Sequence, residues 1–150
     1  MFLVGPNGSF HLTILGYQFP HLATEPYDSN WLQVRVEVTH PRGSWNASDP
    51  ALLTYEAASL AAWLEAVAAG SPAEPECSFL EPCVWFELRD GAGGGRVVRA
   101  YFQREFRPPW ARGREDDEAA VEVPADPATL RGAASALRAQ LREFPQRTAQ

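Results

Sequence analysis

The chain has 150 residues, 45% hydrophobic and 21% charged, with a formal net charge of −6, which suits one domain over 1–150 with its own core and excludes wholesale disorder. All 13 basic residues are arginines, so Schiff-base lysine chemistry, a phosphate-loop lysine and a lysine general base are excluded. The acidic balance opposes direct nucleic-acid binding, which needs a basic face; it either suits a basic protein partner or simply keeps a small domain soluble.

Phe10, Leu12 and Ile14 alternate with His11 and Thr13, the period of a strand with one buried face. A loop rich in turn formers runs from Pro20 to Asn30. Leu32, Val34, Val36 and Val38 then alternate with Gln33, Arg35, Glu37 and Thr39, the clearest strand in the chain, and His40-Pro41-Arg42-Gly43 ends it. A helix follows, with Thr54 expected as N-cap, Glu56 in the first turn and Gly70 as the stop. Leu60, Trp63, Leu64 and Val67 fall at i, i+3, i+4 and i+7 and share its apolar stripe.

Val84, Phe86 and Leu88 alternate with Trp85, Glu87 and Arg89, and the glycine-rich residues 90–95 turn the chain into a returning strand whose inward residues are Val98, Ala100 and Phe102. If Leu88 pairs with Val98, Glu87 faces Arg99 and Trp85 faces Tyr101, two favourable cross-strand pairs. A loop with Pro108, Pro109 and Trp110 and the acid run Glu115-Asp116-Asp117-Glu118 precede a short strand at Val121 and Val123. Asp126 caps the last helix, Pro127 opens it, and Leu130, Ala134, Leu137, Leu141 and Phe144 form its stripe. This order predicts an α+β fold: an antiparallel β-sheet of about four to six strands with two amphipathic helices packed on its apolar face.

Signals for chemistry are sparse. Gly91 to Gly95 joins two strands and opens no helix, so it lacks the context of a phosphate loop. Cys77 and Cys83 are expected as reduced thiols, and His11, His21 and His40 are too scattered for a zinc site, so no cofactor or metal is expected. Glu81, Glu87 and Glu105 are the carboxylates that an enzyme or small-ligand reading would use; ion pairing with Arg99 or Arg104 is the duller alternative. Residues 1–8 have no basic start with a long apolar run behind it, and the greasiest stretch, Ala57 to Ala69, is interrupted by Glu65. A soluble, cytoplasmic, non-enzymatic protein without membrane contact is the expectation.

Of the five tryptophans, Trp63 belongs to the helix stripe. Trp45 and Trp110 are expected to pin loops, and Trp31 to pack under one. Trp85 lies on the polar side of its strand, where a large aromatic either packs under a loop or marks a partner surface. The run Glu115, Asp116, Asp117 and Glu118 is either a solvated loop or an anionic lure for a basic surface. Together with Trp85, Glu87 and Tyr101 it forms the candidate partner-binding set.

Several patterns, in one order along most of the chain, resemble the WapI-type immunity proteins of bacterial toxin–immunity systems. They are Asp28-Ser29-Asn30-Trp31-Leu32, Gly43-Ser44-Trp45 with Asp49-Pro50, and Leu52-Leu53-Thr54-Tyr55-Glu56 leading to Leu60 and Trp63-Leu64. Phe79-Leu80-Glu81-Pro82 with Phe86-Glu87, Glu105 with Pro108-Pro109-Trp110, and Leu141 with Phe144-Pro145 and Arg147 complete them. The resemblance implies a protein that neutralises a cognate toxin domain, in such systems often a nuclease, by binding it. It implies scaffold roles for these residues and transfers no binding site. A small-ligand-binding domain or enzyme and a self-associating structural protein, monomer or homodimer being open, are the other classes.

Overall fold

A computed structural model describes residues 1–71, 74–114 and 118–147. The fold is α+β, with strands β1 (Phe2–Gly5), β2 (Gly8–Tyr17), β3 (Trp31–Thr39), β4 (Trp45–Leu53), β5 (Glu76–Cys77), β6 (Val84–Asp90), β7 (Arg96–Phe102) and β8 (Ala119–Pro124), and helices α1 (Thr54–Ala68) and α2 (Pro127–Glu143). The eight strands form two antiparallel sheets, β1-β2-β3-β4 and β5-β6-β7-β8. That is more strands than the periodicity announced, and two sheets in place of one. The extra strands have physical reasons for being silent. β1 and β5 are too short to show alternation, and β4 contains Asp49 and Pro50, poor strand formers that are extended because β3 supplies the ladder.

The alternating residues face inward as expected. Phe10 and Leu12 of β2, Leu32, Val34 and Val36 of β3, Phe86 of β6 and Val98 of β7 are fully buried. The two inner faces meet through aromatic rings: Phe10 lies 5.8 Å from Phe86 and 5.7 Å from Phe102, and Trp45 lies 5.5 Å from Phe102. Each such pair contributes about 0.5–1.5 kcal/mol beyond its burial. Both helices feed the same cluster, α1 through Leu60, Trp63 and Leu64, α2 through Leu130, Ala134 and Leu137. Among the described residues no helix is long and apolar enough to cross a membrane.

Local signals at the helix ends hold with one adjustment. Asp126 caps α2, its carboxylate accepting from the Thr129 N–H at 2.8 Å, and Gly70 leaves α1 with φ +67°. Thr54 is not the N-cap of α1. Leu53 holds that position, and Thr54 is the first helical residue because its hydroxyl donates instead to Asn30 Oδ1 at 2.8 Å. Glu56 takes up the free N–H of Leu53 at 2.9 Å and that of Leu80 at 2.8 Å, so one carboxylate caps the helix and ties down the segment before β6. Trp45 opens β4 and is buried, its indole N–H donating to the Phe106 carbonyl at 2.9 Å, so it pins the loop after β7 from within a strand.

The long link from β2 to β3 and the end of the chain are fixed to each other. Asn30, 1% exposed, bonds the backbone of Arg147, and the Arg147 guanidinium lies 3.5 Å over the Tyr17 ring. At the free edge of β2, beyond the reach of β1, Gln140 of α2 substitutes for a strand. Its Oε1 accepts from the Ile14 N–H at 2.6 Å and its Nε2 donates to the Leu12 carbonyl at 3.3 Å.

Candidate functional site

The register of β6 and β7 brings three of the singled-out residues together. Leu88 pairs with Val98, Glu87 with Arg99 and Trp85 with Tyr101. Because side chains alternate across a strand, Val84, Phe86 and Leu88 enter the core while Trp85, Glu87 and Arg89 emerge on the outer face. The Trp85 and Tyr101 rings are stacked, centroids 3.8 Å apart and planes within 4°. The Tyr101 hydroxyl donates to Glu87 Oε2 at 2.7 Å and accepts from Arg89 Nη1 at 3.3 Å. Burial, and next the hydrogen bond to Glu87, push the phenol above its ordinary pKa, so it stays a donor at neutral pH.

Arg99 completes the face. Its guanidinium carbon is 4.9 Å from the Tyr101 ring centre, and it pairs with Glu118 at 2.7 Å and Glu122 at 3.7 Å. Glu118 therefore joins the Trp85 group through Arg99, while Glu115, Asp116 and Asp117 lie outside the described residues. Glu87 and Glu118 each carry an arginine, so neither is a bare charge. The face is an aromatic platform ringed by partly satisfied ions, an arrangement that can receive a planar or cationic side chain.

A second grouping has no single-strand signature. Glu81 and Glu105 line one cavity of about 500 Å³ with Gln18, Trp31, Asp49 and Pro50, while Glu87 stays apart on the outer face. Asp49 reaches it from β4, a strand hidden from the alternation pattern, so nothing in the sequence placed it here. Asp49, Cys83 and Glu105 offer ligand atoms within 4.8 Å of one another. Burial raises the Asp49 pKa, and Glu105 and Glu81 add to the rise. Cys83 is fully buried and its thiol is pushed up to about 12, first by burial and then by the hydrogen bond to Glu105 at 3.4 Å. A thiol held in its protonated form is a poor nucleophile. Cys77 is likewise pushed up to about 11 by burial, and both cysteines are free. These carboxylates can attract a cation; the thiol adds no reactivity.

A family model described as "Immunity protein WapI-like family" matches residues 1–145. Among curated proteins none matches the chain.

Proposed function

We propose, from the premise that this chain belongs to the immunity protein WapI-like family, that it binds and neutralises a cognate bacterial toxin domain by covering it, with no bond made or broken. The carrying observation is the family match over 1–145, nearly the whole chain. The residues that carry the resemblance act in the scaffold: Asn30, Thr54, Glu56 and Arg147 bond one another or the backbone around them. That leaves recognition to surfaces the family pattern does not specify.

For the toxin-facing surface we put forward the outer face of β6 and β7. Trp85, Glu87 and Tyr101 form its centre and Glu118 its acidic border; Glu115, Asp116 and Asp117, outside the described residues, are proposed to add charge to the same partner contact. A buried aromatic flanked by polar groups is the make-up of an interface centre. A net charge of −6 speeds approach to a basic domain, such as the phosphate-holding site of a nuclease. The chain acts inside the cell that makes the toxin in this reading.

The test is to look beside this chain's gene for a secreted protein with a C-terminal toxin domain and to measure binding kinetics against that domain over a range of salt. The set Glu115→Gln, Asp116→Asn, Asp117→Asn and Glu118→Gln should slow association and flatten its salt dependence. Trp85→Ala should speed dissociation. Unchanged kinetics in both variants reject this surface, and no complex at all rejects the function. The second reading, a small-ligand domain or enzyme, is favoured by the Asp49, Glu81 and Glu105 cavity; turnover abolished by Asp49→Asn would establish it instead.

A further inference from the structure

Residues 103–113, between β7 and β8, gather three arginines on one cavity. Two short 3₁₀ turns, Arg104–Phe106 and Pro109–Ala111, make up most of this stretch. The backbone is anchored from below: Phe106 and Ala111 are fully buried, and the Trp45 indole holds the Phe106 carbonyl. Arg104, Arg107 and Arg112, with Gln103 and Gly113, line a cavity of about 410 Å³. The guanidiniums are therefore offered from a fixed platform.

Three features mark this as more than a solvated loop. Acids outnumber bases 19 to 13 in the chain, yet among the described residues no ion pair or hydrogen bond engages the guanidinium of Arg104 or Arg112, and Arg107 makes only a 3.5 Å contact to the Arg114 carbonyl. Three like charges on one concavity repel one another, and although solvent screens the exposed Arg104 and Arg112, an anion bound among them relieves what remains. Finally, Arg104 is the one non-glycine residue with positive φ among those described, at +48°, a left-handed backbone that glycine would adopt more readily. Strain of that kind persists where the surroundings impose it, and it accumulates at binding sites.

We propose that this cavity binds a phosphate group, as the free ion or as the ester of a small molecule. A tetrahedral dianion presents several oxygen edges and can accept from three guanidinium forks at once, whereas a single carboxylate fills one fork. The volume exceeds what a bare phosphate needs and falls in the range of small-ligand pockets. The strongly acidic remainder of the chain turns away a long polyanion while leaving this local site intact. The proposal is independent of the toxin-binding reading.

The experiment is calorimetric and NMR titration of the full chain with inorganic phosphate and with adenosine 5′-monophosphate, against chloride at equal ionic strength. One equivalent is expected to bind with shifts confined to 103–113. Tighter binding of the monophosphate assigns the ester, equal binding the free ion, and either supports the site. Arg112→Gln should weaken binding about tenfold. Arg104→Gly should do the same, and because glycine accepts the left-handed backbone, that variant stays folded even if Arg112→Gln does not. Titration no different from chloride overturns the proposal, as does binding that survives both substitutions. Tighter, arginine-dependent binding of short single-stranded DNA or of an oligoglutamate peptide also overturns it, in favour of a macromolecular partner.

Discussion

The side chain of Asn30 is bonded to both backbone groups of Arg147: its Oδ1 accepts from the Arg147 N–H at 2.8 Å and its Nδ2 donates to the Arg147 carbonyl at 2.8 Å. An amide side chain thus acts as a one-residue strand for a segment 117 positions away. The same Oδ1 accepts from Thr54 at the start of α1, and Nδ2 also donates to the Pro26 carbonyl at 2.9 Å. Arg147 reciprocates from its side chain, stacking on Tyr17 and donating to the carbonyls of Phe19 and Leu22. One buried amide therefore joins the loop before β3, the start of α1 and the segment after α2.

Asn30→Ala should be among the most destabilising polar substitutions in the chain. It leaves the Arg147 and Thr54 groups without their partner at a residue only 1% exposed, a loss of about 3 kcal/mol. Urea unfolding measures it; a midpoint shift equivalent to under about 1 kcal/mol would show that the junction is dispensable.

Gly5→Ala and Gly132→Ala should have opposite signs. A methyl on Gly5 would lie 1.8 Å from the Glu122 carbonyl oxygen, where the turn between β1 and β2 crosses β8, and backbone cannot yield there. The cost should be about 3 kcal/mol or more. Gly132 lies exposed within α2 and a methyl meets nothing within 4 Å, so alanine should stabilise by about 0.5–1 kcal/mol. Thermal melting of both variants decides it, and equal effects would be incompatible with this packing of the two sheets.

Glu65 of α1 and Arg138 of α2 form a two-pronged ion pair at 2.6 and 2.7 Å. The side chains are 43% and 42% exposed, so solvent screens the pair and a double-mutant cycle should give a coupling of under about 1 kcal/mol. The hydrogen bond from Arg138 holds the Glu65 pKa below the ordinary carboxylate value. The contribution is thus present above the unfolded-state pKa and is lost as pH falls through the lower folded value. Coupling measured at neutral pH and again in acid should shrink; coupling that grows in acid would contradict the assignment.

Strong alternation was legible wherever a strand has one dry face. The β2, β3, β6 and β7 patterns predicted the inward residues, and the pairing of Leu88 with Val98, considered because it sets Glu87 opposite Arg99 and Trp85 opposite Tyr101, is the register found. The helix stripes and the Asp126 cap were legible for the same reason, since they depend on neighbours within a few positions. β4 was not, because Trp45–Leu53 owes its extension to the β3 edge and contains residues that disfavour strands in isolation. Thr54 was misplaced by one position because its hydroxyl is drawn to Asn30, 24 residues earlier. At the candidate site, Trp85, Glu87 and Tyr101 could be grouped from the hairpin alone, whereas Asp49 meeting Glu81 and Glu105 could not.

By itself the sequence determined what periodicity and local chemistry can carry: which face of each alternating strand and of each helix goes inward, where the helices begin and end to within a residue, and a net anionic charge. Tertiary structure alone decided that the strands divide into two sheets, that Glu87 and Glu118 are matched with arginines while Arg104 and Arg112 meet no acid among the described residues, and that Asn30 reaches Arg147. Burial preference is a property of each residue and its period, readable along the chain. The partner of a polar or charged group is set by distances between segments far apart in sequence, and these exist only once the core has closed.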